Sequence, residues 1–247
     1  MRRILFHWFG KPIYSYPAML YIGLVFGVAA GNIAAHVAQV DAFKVYIAQL
    51  ILIPISIAGS RVLYVAVHWD RYGKNRQQIW DLTEGGMAQY GGLINVPLSI
   101  PLLAILDLPF GTFWDIGSIT MMVGMIFTRF GCLLNGCCSG RPSNSWISLN
   151  LPNHMGIWER RIPTQLLEAG WATIILVVGL QIWHMLPFDG ALFLFTASGY
   201  AAGRLIMEST RDLRRVGRKF TVHHAISLLI IALSVAAITS RALMKGS

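Results

Sequence analysis

A succession of apolar blocks, each near the length needed to cross a bilayer, constrains this chain more than any other feature. A helix needs about 20 predominantly apolar residues to span the hydrocarbon core. The blocks run from about Tyr16 to Val40, Val45 to Val67, Gly91 to Leu106, Trp114 to Leu134, Thr164 to Met185, Gly190 to Met207 and Val222 to Met244. Backbone polar groups in lipid must be satisfied within the segment, so blocks of this length are helices. The expected fold is an all-α integral membrane protein, a bundle of about seven transmembrane helices in a single transmembrane domain over residues 1–247. Composition agrees: charged residues make up 13%, about half the share in an ordinary soluble domain. The third block is the weakest, because Pro97 and Pro101 remove backbone bonds that lipid cannot replace. Gly23, Gly27 and Gly31 recur every four residues, as do Gly199 and Gly203, and such small-residue spacing allows close helix contact.

The loops alternate in character. Those after the first, third and fifth blocks are short and nearly neutral, with Asp41 and Lys44, Asp107, and Asp189. Those after the second, fourth and sixth carry Arg71, Lys74 and Arg76, then Arg141, Arg160 and Arg161, then Arg211, Arg214, Arg215, Arg218 and Lys219. One membrane face is therefore basic, and a site built from loops belongs there. The net charge of +9 fits anionic phospholipid better than nucleic acid. The start, Met1 to Lys11, is too broken to be the apolar core of a cleaved signal peptide. No G-x-x-x-x-G-K-[ST], G-x-S-x-G or H-E-x-x-H is present, so nucleotide hydrolysis and common protease chemistry lack a motif. Cys132, Cys137 and Cys138 fall close together with no histidine at ligand spacing, a poor zinc site, and no metal is expected.

Ionisable residues inside the apolar blocks are expensive and therefore informative. Arg61, Arg129, Glu168, Arg204 and Glu208 all lie in or at the ends of such blocks. Arg204 and Glu208 are four apart and can pair on one helix face. Arg129 and Arg204 read as arginines without matched acids, which points to an anionic ligand, and a phospholipid phosphate suits the guanidinium fork. Arg61 and Glu168 are as readily structural as functional. Two glycine-bearing loops, residues 84–94 and 135–144, let backbone approach a ligand closely, although each alone is also an ordinary turn.

Several segments together resemble the bacterial prolipoprotein diacylglyceryl transferases. They are Tyr90-Gly91-Gly92-Leu93-Ile94, then Arg129-Phe130-Gly131 with Asn135-Gly136 and Gly140-Arg141, then Pro163-Thr164-Gln165-Leu166-Leu167-Glu168, then Gly203-Arg204 with Glu208 and Arg211. Tyr14-Ser15-Tyr16 and Gly59-Ser60-Arg61 resemble two earlier patches of that family. The resemblance implies seven spans and a site that receives phosphatidylglycerol. It implies transfer of the diacylglyceryl group to the thiol of a lipobox cysteine, with release of glycerol phosphate and no metal or soluble cofactor. On this basis Arg129, Arg204 and Tyr90 are the candidate catalytic residues. Tyr16, Arg61, Gly91, Gly92, Asn135, Cys137, Gly140, Glu168 and Glu208 are the candidate substrate-binding residues.

The chain also departs from the family. Tyr90 stands where the family has histidine, and Cys132 and Cys137 stand where it has asparagine and glutamate. Cys137 is a small structural residue, a half-disulfide or a nucleophile, the first being favoured because buried cysteine behaves as a small hydrophobe. The loop region of about residues 135–163 is reduced relative to the family's head region. The positive-inside rule puts the basic face in the cytoplasm, whereas the family's topology puts it outside. The expected setting is the bacterial inner membrane. The expected partners are phosphatidylglycerol, the prolipoprotein lipobox peptide or another acceptor, and the bilayer, with no nucleic acid. The alternatives are a relative with a different acceptor or transferred group, and a lipid-binding protein without catalysis.

Overall fold

The computed structural model describes residues 2–73, 77, 79, 89–152, 156–211 and 222–246. Lys74, Arg76, residues 84–88 of the first glycine loop, and Arg214, Arg215, Arg218 and Lys219 lie outside them. Two compact units are formed, Met1–Ala34 with Gly111–Ser247, and Ala35–Phe110.

In the first unit, strands β1 (Ile4–Trp8) and β2 (Lys11–Tyr14) form an antiparallel hairpin. Its turn places Phe9 and Gly10 at positive φ, the twist that two-residue hairpin turns require. Helix α1 (Ser15–Val37) follows directly. Later come α5 (Phe110–Asn135), the hairpin β3 (Leu149–Pro152) and β4 (Trp158–Arg161), α6 (Thr164–Ile182), α7 (Ala191–Glu208) and α8 (Val222–Gly246). The second unit holds α2 (Ala42–Val67), the four-residue α3 (Trp69–Tyr72) and α4 (Asn95–Leu106).

This is a helical membrane protein. Helices α1, α2, α5, α6 with its 3₁₀ extension to Met185, and α8 are long and apolar enough to cross a bilayer. Tyr21, Phe26, Ile33, Phe43 and Leu233 are exposed, while Ser15, Ser99, Ser118, Thr164, Gln165 and Ser227 are buried. Apolar side chains outside and polar ones inside suit lipid as the solvent.

Two expected spans come out differently. Helix α4 has 12 residues, about 18 Å of helix against a core of about 30 Å. A 3₁₀ turn, Gln89–Ile94, precedes it, and Pro101 lies inside it. Helix α7 has 18 residues and includes Arg204 and Glu208; it too falls outside the set that meets the length and hydropathy of a crossing. The two hairpins are additions that the apolar pattern does not reveal.

Close helix contact does use the spaced glycines. A Cβ on Gly23 would lie 2.8 Å from the Phe127 Cβ of α5, and one on Gly27 would lie 2.7 Å from the Thr120 carbonyl oxygen. Between α6 and α7, Trp171 Nε1 donates to the Gly199 carbonyl at 2.9 Å. The same indole lies where a Cβ on Gly203 would fall. In the second unit, Gly59 of α2 faces Gly91, with 2.6 Å from a Cβ on Gly59 to the Gly91 carbonyl oxygen. Asn95 Nδ2 donates to the Leu52 carbonyl at 3.0 Å and ties the start of α4 to α2.

A carboxylate fixes the start of α7. Asp115, buried in α5, accepts from the Gly190 amide at 2.8 Å and the Phe193 amide at 2.9 Å. Helix α7 has no side-chain cap of its own. Asp115 therefore satisfies amides that would otherwise be orphaned in an apolar medium.

These contacts predict a contrast between two glycines. Gly27→Leu should lower the thermal midpoint in detergent, by about 1–3 kcal/mol of stability, because it overpacks α1 against the α5 backbone. Gly170→Ala, with open space around its Cβ, should be neutral or stabilising by up to about 1 kcal/mol.

Candidate active site

The first unit brings three arginines onto one buried carboxylate. Glu168 lies in the second turn of α6. Its Oε2 is 2.7 Å from Arg129 Nε of α5, and its Oε1 is 3.0 Å from Arg204 Nη1 of α7. Arg211, just beyond α7, reaches the same Oε1 at 2.8 Å through Nη2. Glu208 stands at the edge, 3.6 Å from Arg204 and 3.8 Å from Arg211. The i,i+4 pair on α7 therefore exists, but it is looser than the contacts to Glu168.

The expectation that Arg129 and Arg204 lack matched acids is corrected by this geometry: both are matched, and by the same residue. Their partner lies 39 and 36 positions away along the chain, too far for helical spacing to reveal. The anion-binding argument survives in a different form. Among the described residues, three guanidinium groups face two carboxylates in a largely buried cluster. A small cleft of about 10 Å³ borders it, lined by Glu168, Trp171, Tyr200, Gly203, Arg204 and Met207.

The loop after α5 is held against this cluster from two sides. Gln165 Nε2 of α6 donates to the Cys137 carbonyl. Gly140 N donates to the Ile162 carbonyl at 2.9 Å, and Arg141 N donates to the Thr210 carbonyl at 2.8 Å. Arg161 Nη1 donates back to the Gly140 carbonyl at 2.9 Å, and Arg161 also pairs with Glu159. Gly140 is required by space: a Cβ there would sit 2.5 Å from Thr164 Oγ1 and 2.6 Å from the Thr210 carbonyl oxygen. Two of the three basic loops, those after α5 and α7, are thereby joined.

Asn135 ends α5, and Cys137 follows in this loop, partly buried. Cys132, Cys137 and Cys138 carry unbridged thiols in this structure. Hydrogen bonds with Cys132 and then Cys137, reinforced by the charges of Arg129 and Arg211, hold the Cys138 thiol well below the ordinary cysteine range. For Cys137, the hydrogen bond with Cys132 acts downward, but the one with Cys138 and burial outweigh it and push the thiol up to about 11. Tyr16, in the first turn of α1, lies against α5, with its Cα 3.5 Å from a Cβ position on Gly131.

Arg61, Tyr90, Gly91 and Gly92 belong to the second unit. Arg61 is buried on α2. Its Nε donates to the Ile79 carbonyl at 2.7 Å, and its guanidinium lies 5.7 Å and 5.2 Å from the ring centroids of Tyr64 and Tyr72, within cation–π range. Tyr90 is buried in the 3₁₀ turn. Gly91 and Gly92 are backed by α2: a Cβ on Gly91 would collide with the Gly59 carbonyl oxygen, and one on Gly92 would lie 2.6 Å from Ser56 Oγ. Both glycines thus serve close helix–turn packing.

Sequence reasoning passes over Arg211 and Gln165 as site residues, although both stand within the family-like motifs. It also passes over Asp115, whose signal is a carboxylate inside an apolar block.

A family model for prolipoprotein diacylglyceryl transferase matches residues 3–240. The chain belongs to that family. Proteins named phosphatidylglycerol–prolipoprotein diacylglyceryl transferase from Streptococcus pyogenes serotype M5 (strain Manfredo), serotype M49 (strain NZ131) and serotype M1 are each 28% identical over 249 residues. The match covers 97% of this chain and 92% of each relative.

Two outcomes follow. Glu168→Gln should destabilise the fold by on the order of 3–5 kcal/mol, because it strands buried arginines. Arg211→Ala, at a side chain 27% exposed, should cost less, and thermal unfolding in detergent ranks the two. Brief alkylation near neutral pH should label Cys138 before Cys132 and Cys137, read by peptide mass spectrometry, since the thiolate is the reactive form.

Proposed function

We propose that this protein transfers the diacylglyceryl group of phosphatidylglycerol to the cysteine thiol of a prolipoprotein lipobox, with release of glycerol phosphate. The observation that carries the reading is the arginine cluster of Arg129, Arg204 and Arg211 on Glu168, set among apolar helices in a chain of this family.

The chemistry asks for positive charge where negative charge develops. The acceptor thiolate attacks the glycerol carbon of the lipid. A C–S bond forms, the C–O bond to phosphate breaks, and the electron pair leaves on the phosphate oxygen. Arg129 and Arg204 hold the phosphate and stabilise it as it departs. Glu168 keeps both side chains in place without an ordering step at the moment of reaction. Glu208 completes the support of Arg204, and Asn135, Gly140 and Tyr16 line the site. The proton of the acceptor thiol leaves with the departing glycerol phosphate, whose monoester oxygens accept it, and Tyr90, in the second unit with Arg61, Gly91 and Gly92, is the candidate relay in place of the family's histidine.

In this reading α4 and α7 complete a set of seven spans in one transmembrane domain in the bacterial inner membrane. The basic face then lies on the side where an exported lipobox emerges, and the hairpin of β3 and β4 stands for the family's head region. The use of a different acceptor is favoured by Tyr90 in place of the family's histidine, by Cys137 in place of its carboxylate and by the short loop region that stands for its head region.

The test is glycerol phosphate release by purified protein in phosphatidylglycerol membranes, with and without a lipobox peptide. Release should depend on the peptide. Arg129→Ala should lower it by about 10²–10³-fold, as loss of one oxyanion donor does elsewhere. Tyr90→Phe should lower it by about 10²-fold or more if the phenol moves the proton. Unchanged turnover in Tyr90→Phe removes that role, and release without peptide points to another acceptor.

A further inference from the structure

The three cysteines form a cluster that the proposed transfer reaction does not use. Cys132 projects from the last turns of α5. The chain then turns sharply, with Gly136 at φ 74° and Cys138 at φ 64°. The first is an ordinary helix terminus, because glycine adopts the left-handed region freely. The second is a side-chain-bearing residue in that region, where the backbone is strained. Their effect is to fold Cys137 and Cys138 back on Cys132. The Cys137 amide donates to the Cys132 carbonyl at 3.1 Å. The Cys137 and Cys138 sulfurs are 3.6 Å apart, and all three sulfurs lie within 4.8 Å of one another.

These distances suit three-coordinate binding. Metal–thiolate bonds of about 2.3 Å place the sulfurs of a trigonal site about 4 Å apart. The Cys137–Cys138 separation of 3.6 Å lies just below that value and no pair exceeds 4.8 Å, so closure needs only small movements of side chains. The framework is rigid where it must be: Cys132 is on a helix, and the loop is tied by Gln165 to the Cys137 carbonyl and by the Gly140 amide to Ile162. Entry is open, because Cys138 is exposed. Three thiolates around a monovalent ion carry two net negative charges, and Arg129 and Arg211 interact electrostatically with Cys138.

The ligand set also selects the ion. Among the described residues the group contains three thiols and no histidine or carboxylate. Structural zinc closes four ligands, so three sulfurs leave it incomplete. Soft thiolate ligands favour soft ions, and cuprous copper accepts three-coordination.

We propose that Cys132, Cys137 and Cys138 form a three-thiolate site for a soft monovalent ion, with Cu(I) as the ligand. It is a site beside the arginine cluster and independent of whether that cluster transfers lipid.

The experiment is an anaerobic titration of the reduced, purified full-length protein in detergent with Cu(I), against a competing Cu(I) chelator. The wild type should take up one Cu(I) per chain and develop thiolate-to-copper charge-transfer absorption in the ultraviolet. Cys132→Ser and Cys137→Ser should each weaken binding by at least about tenfold, the low end of what loss of even an outer-shell partner costs. Cys138→Gly is the decisive variant. It removes the third thiol while placing glycine at a left-handed position, so it should fold at least as well as the wild type and still lose the site. Equal Cu(I) affinity in the wild type and Cys138→Gly overturns the proposal. So does a wild type that prefers Zn(II) under the same competition, or copper uptake without the thiolate absorption.

Discussion

One buried carboxylate organises the first unit. Charges taken into an apolar medium are strongly penalised unless each finds a partner. Glu168 supplies that partner for arginines from α5, from α7 and from the segment after α7, and it sits on α6 between them. Three parts of the chain are thus tied by charge at the ends of their helices, where van der Waals contact between small residues alone would be weak. Among the described residues the same arrangement sets three guanidinium groups against two carboxylates. A cluster that is nearly neutral can be buried, and a cluster that keeps a residual charge can still attract an anion. Stability of the bundle and affinity for a lipid phosphate therefore draw on the same residues.

Close backbone approach is the second requirement. Gly140 is hemmed in by Thr164 and by the carbonyls of Ile162 and Thr210. That contact joins the loop after α5 to the start of α6 and to the end of α7. Without it the thiol-bearing loop would not lie beside the arginines. In the second unit Gly59 and Gly91 do the same for α2 and the turn before α4. In both places glycine works by absence of volume, and its backbone angles are of secondary importance.

Many of these residues are legible in the amino-acid sequence. Ionisable residues stand out in apolar blocks, so Arg129, Glu168, Arg204 and Glu208 are visible as site residues from one chain. Their partnership is not. Arg129 reads as an arginine without an acid because Glu168 lies on a different helix, and the i,i+4 spacing shows for Arg204 only its looser partner, Glu208. Asp115 is hidden for a related reason: its partners are the amides of Gly190 and Phe193, and backbone groups leave no mark in a sequence. The third apolar block is marked as irregular by Pro97 and Pro101, and it forms a 12-residue helix preceded by a 3₁₀ turn.

The sequence by itself determined the solvent and the class of fold, since the length and hydropathy of a block follow from its own residues and the bilayer's thickness. It also determined the family, because the motifs fall in order along nearly the whole chain. Tertiary structure decided which charges neutralise one another, and which of Gly91, Gly92 and Gly140 are spent on packing. It decided, too, that Cys132, Cys137 and Cys138 share one small volume. Such outcomes depend on the register between separate helices and on the turns that join them. That register is set by many small contacts summed across the fold, and no local pattern of residues encodes it.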